Sequence, residues 1–530
     1  MKSGTSTPVT GAALTLYEAG TGYGSGATSL GTATSNGSGA FTISYTPPSP
    51  AAELYIVATG GNAGGGTNSA IGLMGVLGLS SAAPGSVIIN EFTTVAGEWA
   101  LAQFMDSTGT IIGAPSTNTT GLENGASQAQ PNLADISSGS PGAFWTTYTV
   151  NSGTCAGGSP PVNCDGLKRM NTFANILASC VETSGPASAA CTTLLTDTGS
   201  GSTTLQAANH MATHLTASIS DLFGLQNGGS PFTPDLPSQP EGWELALNYT
   251  PTSSGFDEPS VLAIDASGNA WVTNEDGDSV TELTSSGALV GNYDPSSYLN
   301  SPYGIAIDAS GNAWVANSNG NTVTKLSSDG STASNYTPTG SDFDEPQGIA
   351  IDASGNAWVT NNSGNSVTEL ASAGTLVGNY DPSSYFDGPA GIAIDASGNA
   401  WVTNNSGNSV NELASDGTLV GNYTPTGANF DSPNAVAIDG AHHVWIVNEI
   451  GDSVTELTSF VGPPSLAGYF YPAGADFDSP NAVAIDSAGN VWFVNEISAS
   501  VAEFIGAAAP VLTPLEACLK QSPPHAVCLP

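Results

Sequence analysis

Basic residues are nearly missing from this chain: Lys and Arg number 5 against 45 Asp and Glu in 530 residues, a formal net charge of -40. Lys2, Lys168, Arg169, Lys325 and Lys520 cannot neutralise a row of phosphates, which excludes nucleic acid and anionic membrane surfaces as partners. Charged residues of either sign make up only 9% of the chain, so Ser, Thr, Asn and Gly must cover the surface. Halophilic adaptation works through a high density of carboxylates, and an acidic habitat fits this composition better, since protonation would relieve the self-repulsion. So few cations also leave few trypsin-type cleavage sites. No apolar run of about 18 residues occurs, so no membrane-spanning helix is expected.

Cysteine is sparse but paired: Cys155 with Cys164, Cys180 with Cys191, and Cys518 with Cys528 stand close in sequence. Neighbouring cysteines close most easily, and even, clustered usage points to disulfides and an oxidising, extracellular compartment. Metal ligation by these thiols is disfavoured because no CxxC spacing occurs. The start Met1-Lys2-Ser3 lacks an apolar signal core. An exported protein with this sequence is therefore expected to be a mature or engineered form, or the product of a start placed too late.

What is abundant is repetition. The phrase Ile-Ala-Ile-Asp-Ala-Ser-Gly-Asn-Ala-Trp-Val recurs with small changes, its tryptophans at Trp271, Trp314, Trp358, Trp401, Trp445 and Trp492, separated by 43, 44, 43, 44 and 47 residues. A period of this length is that of a four-stranded propeller blade of roughly 40–45 residues. Within 346–380, four apolar segments are divided by Ala353-Ser354-Gly355-Asn356, Asn362-Ser363-Gly364-Asn365 and a third turn, which predicts four strands. Trp243 to Thr250 reads as an orphan fourth strand, and the sixth repeat ends near Phe504 without one. The early segment is expected to complete the last blade and remove the exposed sheet edges.

Upstream, Pro8 to Tyr17, Ala40 to Tyr45 and Leu54 to Thr59 read as strands of a small β-sandwich over 1–80. The period then becomes helical. Asn90 to Met105, Leu167 to Val181 and Thr204 to Leu225 predict helices of a domain over 85–230, stapled by the first two cysteine pairs. A Pro-rich linker at 231–242, the propeller at 243–506 and a tail at 507–530 complete the expected order. The fold class is therefore mainly β: a six-bladed β-propeller preceded by a small β-sandwich and a disulfide-stapled helical domain.

The repeats over 243–505 resemble the NHL and virginiamycin-B-lyase-like propellers. Residues 8–61, through Pro8-Val9-Thr10-Gly11-Ala12 and Gly39-Ala40-Phe41, look like the carboxypeptidase-regulatory-like β-sandwich. The whole order is similar to secreted multi-domain NHL-repeat proteins of acidobacterial type, and this likeness implies an architecture without a reaction. Such sandwiches usually have a strand ahead of the Pro-Val-x-Gly-Ala segment, and here only seven residues precede Pro8. A groove for another chain's segment is thus expected, with the apolar tail Pro510-Val511-Leu512-Thr513-Pro514-Leu515 as candidate donor. A late gene start or a loosely ordered edge would explain the same departure.

Candidate sites are few. The resemblance implies a histidine base and a divalent metal in the central pore, but only His442 and His443 fall in the repeats, in a turn where solvated loop residues are expected. His210 and His214 stand four apart on a predicted helix and would face one metal, but no Glu follows His210 as HExxH requires, which favours a surface pair. The Asp-Ala-Ser-Gly-Asn turns from Asp265, Asp308, Asp352 and Asp395 offer oxygens for weak calcium binding, and Asx turns explain the same residues without a metal. Asn274, Asn317, Asn361, Asn404, Asn448 and Asn495 each follow a repeat tryptophan by three and form the expected ring of ligand-binding amides, unless they cap their own turns. No catalytic constellation stands out. The expectation from sequence is therefore a non-enzymatic, secreted structural or adhesive protein without cofactor, self-associating head-to-tail into filaments by strand complementation. A monomeric propeller module binding glycan or protein is the second reading, and a metal-dependent lyase the third.

Overall fold

The computed structural model describes the chain except for residues 5, 148–163, 200, 229–230, 251–254, 296, 382–384, 459–463, 471–476 and 513–530. It divides into two compact units, Met1–Leu247 with Phe504–Ala507, and Asn248–Glu503 with Ala508–Pro530. Among the described residues, no helix is long and apolar enough to cross a membrane.

The first unit holds one four-stranded antiparallel sheet in the order Thr28–Thr34, Ala13–Glu18, Glu53–Thr59, Gly72–Leu79. Alternating Leu14 and Leu16, with Leu54, Ile56, Leu73 and Leu77, bury an apolar face. The expected strand at Ala40 to Tyr45 is not paired. Its burial alternates, with Phe41, Ile43 and Tyr45 half-buried and Thr42 and Ser44 exposed, and it packs against the sheet, with Ile43 and the Ser44 carbonyl close to Gly31, without joining a ladder. An alternating sequence specifies a face, and a ladder requires a partner as well.

Helices cover the rest of this unit. Glu91–Ala100 starts at Asn90, whose side chain accepts from the Thr93 N–H while the Thr93 hydroxyl accepts from the Asn90 N–H. Trp99 stacks on Phe173 of Cys164–Val181 at 4.6 Å between ring centroids. The helix expected to run from Thr204 to Leu225 stops at Thr213 and resumes as Ile219–Phe223. Cys180 and Cys191 form a disulfide. Cys164 is disulfide-bonded, while Cys155, Cys518 and Cys528 lie outside the described residues. The Pro-rich stretch is no free linker: Asn171 and Asn175 donate to the Pro234 and Phe232 carbonyls, and Leu236 N–H donates to Thr172.

The second unit is propeller-like: small four-stranded antiparallel sheets in a repeat arrangement, one per sequence repeat. Repeat 3 shows the order, Pro346–Ile351, Ala357–Asn361, Ser366–Leu370, Leu376–Tyr380. In the last sheet the fourth place is filled by Ala246–Tyr249, from ahead of the first repeat. First strands of successive repeats lie side by side, and the last lies beside the first. Packing between repeats has a fixed form. The Tyr336 ring stacks on Trp314 of its own repeat at 5.5 Å, and its other side meets Gly374 of the next, where an added Cβ would stand 2.0 Å from the ring. Tyr249 does the same between Trp492 and Gly287, joining the last repeat to the first.

Candidate functional site

Each first strand runs from a proline to an aspartate, so the repeats present two chemically different ends. At the aspartate end the side chains serve the frame. Asp352 accepts from the Ser354 and Asn356 N–H groups and from Trp358 Nε1 at 3.3 Å, the Asx turn that this sequence favours. Asn356 donates to Glu369 at 2.8 Å, and Tyr380 donates to the same carboxylate at 2.6 Å. The same set recurs from Asp265 and Asp395, whereas Asp439 keeps only the turn and the Trp445 bond, since His443 and Phe470 stand where the Asn and Tyr would be. In the second repeat Lys325 replaces the glutamate and bonds Asp308 at 2.7 Å over the Trp314 ring.

The aspartate end is also covered. Ala508 and Val511 donate backbone N–H groups to Gly489 and Asp486, and Gly440 N–H donates to Ala509. Val511 thereby lines one end of an apolar central cavity of about 190 Å³ whose wall includes Leu262, Ile305, Ile349, Ile394 and Val483. Pro510 and Val511 are therefore engaged on their own unit, contrary to the expectation that they are free to be donated; 513–530 lie outside the described residues.

At the proline end a second pattern aims side chains inward. The residue before each proline has a positive φ, for example Glu258 at 49° and Ser479 at 54°, and its carbonyl accepts the N–H of the residue after the second strand, Glu275 and Glu496 respectively. Left-handed backbone at non-glycine residues costs energy, and concentrates where side chains must be aimed. Two columns of residues result, one following the prolines and one following the asparagines.

These columns converge in a connected network. Tyr303 donates to Asn481 Oδ1 at 3.1 Å and accepts from Asn434 Nδ2 at 2.8 Å, linking the second, fifth and sixth repeats. Asn434 also donates to Asn481. Asn481 Nδ2 donates to Glu496 Oε2 at 2.8 Å, Asn405 to Glu449 at 3.2 Å, and Ser260 to Glu275 at 3.4 Å. Asn434 and Asn481 are buried, and Glu275, Glu449 and Glu496 are half-buried. Burial, then the negative charges of Glu449, Glu258 and Glu275, raise the Glu496 carboxyl to about 7. Burial likewise raises Glu275 and Glu449. The Tyr303 hydroxyl is held neutral by burial and by Glu449, Glu275 and Glu496.

The residues singled out from sequence fall elsewhere. Asn274, Asn317, Asn361, Asn404, Asn448 and Asn495 are fully buried and do not form a ligand-facing ring. Each amide is turned into its own repeat, as Asn361 is toward Ser366 and Thr368 at 3.0 Å. Of the residues one position later, Glu275, Asn405, Glu449 and Glu496 take part in the contacts at the proline end, the mouth of this unit. His443 takes the place of the turn asparagine and pairs with Glu456 at 2.6 Å, at the aspartate end and away from the network. His442 stands beside it at φ 72°. His210, in the last turn of Thr204–Thr213, and His214, the residue that caps that helix, stack with centroids 4.0 Å apart in the first unit. Among the described residues, no group of three or more His, Cys, Asp or Glu is arranged to hold a metal ion. Sequence reasoning missed the mouth because it followed positions that are constant among the repeats. The signal lay in the positions that vary: Ser260, Tyr303, Gln347, Ala390, Asn434 and Asn481 after the prolines, and Glu275, Glu449 and Glu496 after the asparagines.

Residues 246–505 match the virginiamycin B lyase family. That match supports a propeller of repeat type and overturns the expectation of a non-enzyme. No curated protein sequence matches the chain. Among solved structures, a streptogramin B lyase aligns at 20% identity over 49% of this chain and 87% of its own, with a TM-score of 0.40. A virginiamycin B lyase from Staphylococcus aureus, in a catalytically inactive form with quinupristin, aligns at 19% identity over 53% and 86%, with a TM-score of 0.39. A gluconolactonase from Xanthomonas campestris aligns at 16% identity over 49% and 89%, with a TM-score of 0.41. At these scores the architecture rests on the strand pairing within this chain itself.

Proposed function

We propose that the second unit is a six-bladed propeller whose proline end binds a cationic or hydroxyl-rich small molecule and removes a proton from it, in a lyase-type elimination. One observation carries this reading: Glu496 sits beside the Tyr303-Asn434-Asn481 network with its carboxyl raised to about 7. A carboxylate tuned to that range is half ionised near neutrality and can accept a proton and return it. Tyr303 and the two amides offer both donors and acceptors for a substrate oxygen. In the reaction the substrate C–H proton passes to Glu496, the C–H electron pair forms a double bond between the two carbons, and the neighbouring C–O bond breaks with its electron pair kept by the oxygen, which leaves as a carboxylate or alkoxide. The family match over 246–505 supports elimination, and the clustered carboxylates support a positively charged or polyhydroxylated substrate. The disulfide Cys180–Cys191 supports an exported protein.

Virginiamycin B is the first substrate to try, with ring opening followed by mass spectrometry. Wild type is expected to open the ring slowly, and Glu496→Gln to lose at least about 100-fold in rate, the usual contribution of a general base. Equal rates in the two proteins would remove Glu496 from the mechanism. Absence of turnover, together with no change in Tyr303 or Trp fluorescence on adding cationic or polyol ligands, would end the proposal.

A further inference from the structure

The first unit carries an apolar groove that the propeller-like unit does not explain. Its cavity, about 410 Å³, has Leu16, Ile56 and Leu77 of the sheet among its walls. Phe41, Ile43 and Tyr45 line it from one segment, Ala83 to Val87 from another, and Met1 closes the lining. The lining segments are unusual. No backbone N–H or C=O of 41–45 or of 83–87 is hydrogen-bonded to a described residue. Phe41, Ile43 and Tyr45 alternate in burial with Thr42 and Ser44, as in a strand whose ladder partner is missing. Apolar side chains in the groove and unused backbone groups along its sides are the two features that strand addition consumes.

We infer that this groove accepts an extended strand, Leu515 to Lys520, from the C-terminal tail of a second copy of the chain. Along this stretch Leu515, Ala517 and Leu519 share one strand face, and Glu516 and Lys520 flank Cys518, whose sequence partner is Cys528, on the other. Leu512 is the last described residue, so 18 residues follow it, which span about 60 Å when extended. Val511, just ahead of this stretch, is bonded to Asp486, so the donor leaves from a fixed point of the second unit. The segment carries one of the five strong cations of a chain with net charge -40, and its Glu516 and Lys520 cancel. The donated strand therefore brings no net charge into a groove whose lining side chains carry none. Because groove and tail are different surfaces, each copy donates to one neighbour and accepts from another, and the contact propagates.

Light scattering of the full chain across concentrations tests this. Wild type is expected to grow in mass with concentration, while Leu515→Asp/Leu519→Asp and Ile43→Asp each stay monomeric. An equimolar mixture of those two variants retains one intact groove and one intact tail, and is expected to form 1:1 dimers and stop there. A wild type that stays monomeric at every concentration would overturn the inference, as would association by either variant alone. Should Ile43→Asp fail to fold, a labelled peptide of residues 513–522 added to Leu515→Asp/Leu519→Asp, which keeps the native groove, decides the matter. Saturable anisotropy supports strand addition, and a flat response overturns it.

Discussion

Glu496 owes its properties to company. Its carboxyl is raised first by burial and then by Glu449, Glu258 and Glu275, so removing a neighbouring charge should lower it. Glu449→Gln is accordingly expected to move the acid limb of the ring-opening profile to lower pH by several tenths of a unit or more, with Tyr303 still neutral. An unmoved limb would show that the carboxylates do not sense one another. The asparagines one position earlier illustrate the opposite outcome. Asn361 and its counterparts are constant in sequence because they fasten the second strand to the third, and constancy among repeats here marks frame rather than ligand. Sequence could show the column but not which way its side chains turn, since a single step along a strand reverses the face.

Within an element, the unit of stability is the tyrosine held between two repeats. Gly374 has φ +79° and faces the Tyr336 ring, whereas Gly311, also at φ +79°, meets only Ser328 Cβ at 3.2 Å. Both resist a side chain through their backbone, at about 1–2 kcal/mol. Gly374→Ala must in addition displace a ring stacked on Trp314. Urea unfolding should therefore show Gly374→Ala to be clearly more destabilising than Gly311→Ala, and equal losses would contradict the packing described. The four strands of each repeat, and the loan of Ala246–Tyr249 to the last, were legible from sequence because hairpin turns and strand alternation are local. The strand expected at Ala40 to Tyr45 was not settled by pattern, because pairing depends on a neighbour that the pattern does not contain.

Across the whole molecule, buried acids set the response to pH. Burial raises Glu53 to about 8 and Glu91 to about 7, and Glu98 and Glu503 well above the ordinary carboxyl value, alongside Glu496 at about 7. A carboxyl with a raised value in the folded state binds more protons there than in the unfolded chain. Its effect on stability is most favourable below the unfolded value of about 4.3 and worsens as pH rises through the folded value. Asp308 behaves oppositely: burial opposes its ionisation, but bonds from Lys325 and Asn312 prevail and hold it to about 2, so its contribution is lost only in strong acid. The melting temperature is thus expected to peak near about pH 4–5 and fall toward pH 8, with self-repulsion at a net charge of -40 adding to the fall. A curve that rises between pH 5 and 8 would contradict the burial of these acids.

The sequence by itself determined the repeat, its four strands, the shared closing strand, the capped helix at Asn90 and the polyanionic surface. Each of these follows from local spacing or from counting. Tertiary structure alone decided that Tyr303, Asn434, Asn481 and Glu496, drawn from three repeats, meet at one end, and that the constant asparagines turn away from it. It also decided that Val511 is engaged at the other end of the central cavity while the groove beside Ile43 stays open. The physical reason is common to all of these. Local geometry is set by neighbours a few residues away, whereas a site is made where chain segments more than a hundred residues apart are brought within hydrogen-bond distance, and no spacing along the chain records that meeting.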